Sequence, residues 1–231
     1  MFATGRAWDQ VRNSISYNNF NIKIVATHAG ITVGPDGSSH QAIEDVALMR
    51  AIPNMNIIIP CDGPQTREAI LACANAAGPF YVRLGRPKIT TIENKPEFKI
   101  GKAQVLSEGK DVAIIACGIM AGEALIAAKN LLVKGIKARV INAHTIKPLD
   151  SATILKAAEE TRGIVVCEEH TVIGGLSSSV DEVVAENHPT KVIRVGIKNR
   201  FGQSGEPAEL LKEYNLTSTD IEKAALSCVN S

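Results

Sequence analysis

The sequence has no excess of charge of either sign. Across 231 residues, 25 lysines and arginines stand against 24 aspartates and glutamates, so the formal net charge is +1. A balance this even supplies no broad electrostatic field for holding a polyanion. We therefore predict no nucleic-acid partner.

The chain also lacks a long apolar run. No stretch approaches the roughly 20 consecutive apolar residues that a helix needs to span a bilayer, and residues 1–6 (MFATGR) lack the apolar core of a signal peptide. These patterns predict no membrane contact and a cytoplasmic location. With 45% hydrophobic and 21% charged residues, the chain can instead bury a core of its own.

Paired cysteines are a third absence. The five cysteines are odd in number, include no CxxC pair and partly lie in apolar segments: Cys61, Cys73, Cys117, Cys167 and Cys228. This distribution favours buried, reduced thiols over a disulfide framework or a zinc site.

What the sequence does contain is an alternation of short β-rich runs with helical periodicity, typical of a parallel α/β sheet. Strands are predicted at residues 22–27, 57–59, 80–84, 111–116, 138–142, 163–167 and 192–197. Helices are predicted at residues 3–16, 41–51, 64–77, 122–134, 151–160, 175–186 and 219–228. The alternation weakens after residue 87 and then restarts. We predict two α/β domains, at 1–92 and 109–231, with a linker at 93–108.

Residues 27–41 (THAGITVGPDGSSHQ) form the most informative polar segment. His28 directly follows the first predicted strand, Asp36 and His40 lie further along the same loop, and Arg86 follows the strand at 80–84. Ligands of open α/β sheets gather at the carboxyl ends of strands. Arginine and imidazole are suited to phosphate oxygens and to proton transfer. On spacing alone, the segment could equally be a turn-rich surface loop with two solvated histidines.

A set of motifs adds to this reading. Residues 26–62 (ATHAGITVGPDGSSHQAIEDVALMRAIPNMNIIIPCD) closely resemble the pyrimidine-binding domain of transketolases, especially the type split into two polypeptides. Further motifs that resemble the family are MFATGRAWDQVRNSI, YVRLGR, IKPLD, EEHTVIGG and FGQSGEP. The resemblance covers nearly the whole chain. It implies a truncated, parallel-sheet pyrimidine-binding domain followed by a transketolase C-terminal-like α/β domain.

The resemblance implies roles for five residues. Phe2 corresponds to the aromatic residue that stacks on the aminopyrimidine of thiamine diphosphate, and His40 to the active-site histidine that moves protons near the reacting carbonyl. His28 and Arg86 correspond to residues that bind the substrate phosphate, and Asp36 to one that binds a hydroxyl close to the reacting carbons.

The same resemblance implies that other parts of the active site come from elsewhere. The cofactor is expected to be thiamine diphosphate, with its Mg²⁺ bound mainly by a partner domain. An amino-terminal transketolase subunit is the expected partner, in a homo- or hetero-oligomer that acts on sugar phosphates. The glutamate that activates the cofactor in this family lies upstream of the matching segment. We therefore expect a chain that is truncated at its amino terminus and inactive alone.

Two alternatives to transketolase activity stay open. A 1-deoxy-D-xylulose-5-phosphate synthase shares both domains but condenses pyruvate with an aldose phosphate, and the Thr27-His28-Ala29 start of the loop favours transketolase over it. The other alternative is a non-catalytic assembly or regulatory partner.

Several further polar residues are predicted to be structural. His170 is expected to form a structural hydrogen bond or a subunit contact, and Glu168 with Glu169 a helix or interface charge pair. His144 and Lys147 are expected to shape the turn into a helix.

Overall fold

Two β-sheets organise the computed structural model, which describes residues 1–230. The first has the strand order β1-β3-β2-β7 and the second the order β4-β6-β5-β8-β9. Their strands are β1 (Lys23–Ala26), β2 (Asn56–Ile58), β3 (Phe80–Arg83), β4 (Gln104–Ser107), β5 (Val112–Ala116), β6 (Ala138–Asn142), β7 (Thr145–Lys147), β8 (Ile164–Thr171) and β9 (Val192–Ile197). The predicted class, two α/β sheets in one chain, is confirmed.

Both sheets are mixed rather than purely parallel. Strand β7 pairs antiparallel with β2, and β4 pairs antiparallel with β6, while the other pairings are parallel. The pattern did not predict β4 or β7. Strand β4 lies inside the segment 93–108 that was expected to be a linker, and Lys147 belongs to β7 rather than to a turn into a helix. The domain boundaries themselves stay a prediction.

Helices cover the sheets and connect their strands. They are α1 (Trp8–Gln10), α2 (Asp45–Arg50), α3 (Gly63–Asn75), α4 (Met120–Val133), α5 (Ser151–Glu160), α6 (Leu176–Asn187), α7 (Pro207–Glu213) and α8 (Ser218–Val229). Residues 3–16 are helical, as predicted, but they do not form one α-helix. Two π-helical segments, Phe2–Arg6 and Val11–Ser16, flank the short α1. None of the helices within residues 1–230 is both long enough and apolar enough to cross a membrane.

Local sequence signals explain where these helices begin. The Asp62 side chain accepts a hydrogen bond from the Gln65 amide and a proline follows at the first turn, so α3 starts there. Asp150 caps α5 in the same way through the Thr153 amide. Thr217 and Asp220 form a capping box at the start of α8.

The core joins the two sheets. Every residue of β5 is buried, and its side chains alternate between two apolar clusters. Ile114 packs in the cluster that also contains residues of α4 and α8. Ile115 packs in a cluster that reaches Ile57 and Tyr81 of the first sheet. The two halves of the chain therefore share buried surface, and all five cysteines are buried and free, as predicted.

Candidate functional site

Two of the site residues predicted from sequence, His28 and Arg86, follow the ends of β1 and β3. These strands pair in parallel, with Ala26 opposite Arg83, so their carboxyl ends meet at one edge. Beyond the strands, the Ala29 amide donates to the Leu84 carbonyl at 3.1 Å. This bond holds the backbone next to His28 against the backbone just before Arg86.

Arg86 and Asp36 are in direct contact. The Nη1 of Arg86 donates to Asp36 Oδ1 at 3.1 Å and to the Val33 carbonyl at 2.7 Å. Each side chain of the pair is 42% exposed. Both bonds use one nitrogen of a guanidinium that has five N–H donors, so the group can still bind an anion.

His28 lies at the start of the loop in a left-handed backbone conformation, with φ of 64°. Few residues other than glycine adopt this conformation, although histidine does so more readily than most. Its Nδ1 lies 2.9 Å from Thr27 Oγ1, and the side chain is exposed. The Nε2 atom is therefore the ring nitrogen available to a ligand.

His40 lies beside Phe2. The two rings meet edge to face, with centroids 5.3 Å apart and an interplanar angle of 86°. The guanidinium of Arg6 lies 4.6 Å from the centroid of the Phe2 ring. His40 Nδ1 is 3.0 Å from Ser39 Oγ, which leaves Nε2 to exchange a proton. The amino-terminal segment thus supplies an aromatic ring next to the imidazole.

A loop with an unusual backbone carries these groups. Residues 31–36 form a short 3-10 helix that is interrupted at Gly34, where φ is 81°. A parallel bridge between Ala29 and Ala42 closes the base of the loop. We refer to residues 28–41 as the substrate loop, after the role that the family resemblance implies for its side chains.

The pyrimidine end of thiamine diphosphate fits the residues present. Phe2 is 48% exposed and offers an aromatic surface next to an imidazole, as ring stacking requires. For the metal, residues 1–230 contain no group of three or more His, Cys, Asp or Glu side chains able to hold an ion.

Beneath the exposed residues lies a buried pair that sequence reasoning missed. Arg83 Nε donates to Asp45 Oδ2 at 2.7 Å, and the Tyr81 hydroxyl donates to the same oxygen at 2.6 Å. Burial alone would raise the pKa of Asp45, but the Arg83 charge and these hydrogen bonds hold it below its usual value. The sequence signals were Asp45 within the predicted helix at 41–51 and Arg83 within the otherwise apolar strand predicted at 80–84.

The sequence Glu168-Glu169-His170 connects the two sheets. Glu168 accepts hydrogen bonds from the first amides of α6, at Leu176 and Ser177, each at 2.8 Å. Glu169 Oε1 accepts from the Thr32 amide of the substrate loop at 2.7 Å. His170 Nε2 accepts from the Val46 amide at 3.2 Å, so it has the predicted structural hydrogen-bonding role.

His144 lies between β6 and β7 in the chain and is fully buried. Its ring lies 4.3 Å from the Phe98 ring, and its Nδ1 is 3.0 Å from Thr145 Oγ1. Burial lowers the pKa of His144 to about 4, against a smaller opposite effect of Asp150. The residue shapes the interior next to β7, and not a turn into a helix.

Comparison with known proteins identifies the two halves of the fold. A family model described as "transketolase, pyrimidine binding domain" matches residues 1–91, and one described as "transketolase, C-terminal domain" matches residues 101–221. The fold and these matches define a two-domain α/β chain of the pyrimidine-binding and C-terminal type.

Similar proteins extend the comparison over the full chain. A transketolase C-terminal section from Methanocaldococcus jannaschii is 48% identical, and the match covers 96% of this chain and 71% of that protein. A 6-deoxy-6-sulfo-D-fructose transketolase subunit from Clostridium sp. is 42% identical over 97% of this chain and 70% of that protein. A solved split-gene transketolase, described as an inactive β4 tetramer, superposes with a TM-score of 0.93. It is 46% identical, over 99% of this chain and 74% of that one.

The chain belongs to the transketolase family, as its motifs predicted. It corresponds to the C-terminal section or subunit of split enzymes in this family, which depends on thiamine diphosphate.

Proposed function

We propose that this chain is the C-terminal subunit of a split transketolase. In this proposal it contributes the substrate loop to a thiamine-diphosphate-dependent transfer of a two-carbon ketol unit between sugar phosphates in the cytoplasm. The observation that carries the proposal is the arrangement at the ends of β1 and β3. There Arg86 contacts Asp36, and His28 and His40 belong to the same loop.

Each group has a task suited to its surroundings. Arg86 and the Nε2 of His28 bind the phosphate of the sugar, since a guanidinium and an imidazole both donate to phosphate oxygens. Asp36 accepts a hydrogen bond from a sugar hydroxyl near the reacting carbons. Its contact with Arg86 holds the two side chains at the same place in the site.

His40 is the proposed catalytic residue. With Nδ1 engaged by Ser39, its Nε2 takes a proton from a substrate hydroxyl or returns one to it during carbon–carbon cleavage and ligation. Imidazole suits this task because its ordinary pKa lies near neutral pH.

Phe2 is the proposed contact for the cofactor. Its ring would hold the aminopyrimidine by stacking, while the cofactor, when bound, supplies the electron sink that carbon–carbon cleavage needs. We assign the diphosphate and Mg²⁺ mainly to an amino-terminal partner subunit.

The partner follows from the relatives. The Clostridium protein is described as one subunit of its enzyme, and the split-gene β4 tetramer is described as inactive. We propose that this chain likewise forms an oligomer that is inactive without its amino-terminal partner. The Clostridium relative is named for a sulfonated sugar, so the assay includes a sulfonated ketose beside a ketose phosphate.

Ketol transfer measured with and without the partner tests this proposal. The chain and the amino-terminal transketolase subunit of its source are expressed together, purified and supplied with thiamine diphosphate and Mg²⁺. The assay uses xylulose 5-phosphate, and 6-deoxy-6-sulfofructose in a second arm, each with ribose 5-phosphate. A third arm supplies pyruvate with an aldose phosphate. Ketol transfer by the complex supports the proposal. Pyruvate consumption instead would select the synthase, and failure of the subunits to bind would favour the non-catalytic alternative.

A further inference from the structure

The substrate loop is held partly by its own hydrogen bonds and partly by contacts from outside. Its hydrogen bonds within residues 30–41 include the amide of Gly37 to the carbonyl of Gly34 at 3.2 Å and the amide of His40 to the carbonyl of Gly37 at 3.0 Å. Gly30, Gly34 and Gly37 all have positive φ values. A backbone with several such glycines is permissive, so contacts from outside help to fix its conformation.

The second sheet supplies one external contact, through Glu169. This residue lies on β8, is only 5% exposed, and accepts the Thr32 amide at 2.7 Å across the boundary between the sheets. The contact leaves no room for a side chain at Gly30, where an added Cβ would lie 2.3 Å from the Glu169 carboxylate. Loop and carboxylate are therefore fitted to each other.

Glu169 is itself held firmly. Arg83 Nη2 donates to the Glu169 carbonyl at 3.0 Å and to the Ala42 carbonyl at 3.2 Å. The same guanidinium pairs with Asp45. One buried cation thus ties β8 to the base of the substrate loop, and the carboxylate of Glu169 extends this tie to Thr32.

A second external contact runs through Gln41. Its Nε2 donates to the Ile31 carbonyl at 3.1 Å and to the Gln203 carbonyl at 2.9 Å. Gln203 belongs to the segment before α7, which also approaches Gly34 closely: a Cβ on Gly34 would lie 3.2 Å from the Gly205 carbonyl oxygen. The loop is held on two sides by residues of the C-terminal half.

We infer that the C-terminal half of this chain positions the substrate loop, with Glu169 as the principal positioning residue and the hydrogen bond from Gln41 of the loop to Gln203 as the second contact. The inference rests on the proposed function for its kinetic consequence, because Asp36 and His40 can reach a sugar phosphate correctly only if the loop between them is fixed. A displacement of about 1 Å at such groups can lower the rate about a hundredfold.

The test compares three variants of the complete chain. Glu169→Ala removes the acceptor of the Thr32 amide, whereas Glu169→Gln keeps an oxygen that can accept it. Glu168→Ala is the matched control. The Glu168 carboxylate is also buried, but it caps α6 and makes no hydrogen bond to the loop among residues 1–230. Each variant is examined by amide hydrogen exchange at Thr32 in the chain itself and by the KM and kcat of the complex for xylulose 5-phosphate.

We expect Glu169→Ala to lose protection at Thr32, to raise KM and to lower kcat, so that kcat/KM for the sugar phosphate falls at least about tenfold. Glu169→Gln should restore these values towards wild type. Glu168→Ala should lower the melting temperature but leave Thr32 exchange and kcat/KM unchanged. If Glu169→Ala does not fold, Gln41→Ala takes its place, with exchange measured at residues 31–34 and the same decrease in kcat/KM expected.

Two results would overturn the inference: wild-type exchange at Thr32 in Glu169→Ala, or an equal decrease in kcat/KM in Glu168→Ala. Should the wild-type complex catalyse no ketol transfer, the proposed function fails, while the exchange measurement still decides whether Glu169 holds the loop.

Discussion

Arg86 shows at the scale of one residue how an exposed charge can serve binding rather than stability. Its pair with Asp36 lies at the surface, where ion pairs contribute about 0–1 kcal/mol to folding. Its proposed role is to bind a substrate phosphate through the remaining guanidinium donors.

Arg86→Ala should therefore raise KM for the phosphorylated substrates roughly tenfold to a hundredfold, as expected for a lost charged hydrogen bond of about 1.5–3 kcal/mol. Arg162→Ala is the matched control, since Arg162 is also an exposed partner of an aspartate, Asp111, but lies before β8 at the opposite end of the strands. Steady-state kinetics of the complex measure both. An equal change in the two variants would remove Arg86 from the substrate site.

His144 supports a prediction about pH. Its pKa of about 4 in the folded chain lies below the ordinary value of 6.5, so between these pH values the unfolded chain binds a proton that the folded chain does not. The free energy of unfolding should therefore decrease as pH falls from 6.5 towards 4.

His144→Gln should flatten this part of the pH profile, as measured by urea unfolding at several pH values. His188→Gln, at an exposed turn, should keep the wild-type slope. A profile with the same slope in His144→Gln would show that other groups account for it.

At the scale of elements, the pair of Asp45 and Arg83 attaches α2 to β3 beneath the substrate loop. Removing one partner of a buried pair leaves an uncompensated charge, which costs about 3–5 kcal/mol. Asp45→Asn should reduce the free energy of unfolding by that amount at pH 7. Because the pKa of Asp45 is lowered, its contribution is present above its ordinary pKa of 3.8 and is lost as pH falls below it.

Asp181→Asn provides the comparison, because Asp181 and Arg194 form an exposed pair at 3.7 Å. Its effect should stay within about 1 kcal/mol. Denaturant unfolding followed by circular dichroism measures both variants. Similar small effects would show that the buried pair adds little to the stability of the fold.

Elements with strong local signals could be predicted from the sequence. Strand β6 and helix α5 begin and end where expected, because β6 contains the β-branched pair Val140-Ile141 and Asp150 caps α5. Strands β4 and β7 were missed because they are short and stabilised by antiparallel pairing with distant residues. No local pattern reports such pairing.

The candidate site divides in the same way. His28, Asp36, His40 and Arg86 could be found because they follow strands and match family motifs. The role of Glu169 could not, because 137 residues separate it from Thr32 and only the fold brings them together. The sequence predicted a helix or interface charge pair for Glu168 and Glu169, whereas both lie on β8 and Glu169 alone bonds to the loop.

At the scale of the whole molecule, the two halves share a core and meet around the substrate loop. Both halves match transketolase domains. The proposed activity nevertheless requires groups for the diphosphate and metal, which we assign to a separate subunit.

The most direct measurement is ketol transfer from xylulose 5-phosphate to ribose 5-phosphate by three samples: this chain, its amino-terminal partner, and the two together, with His40→Ala as the variant. Only the mixture should be active, and His40→Ala should lower its kcat about a hundredfold to ten-thousandfold, the range for general acid–base catalysis. Full activity of the chain alone, or an unchanged kcat in His40→Ala, would contradict the proposed division of the active site.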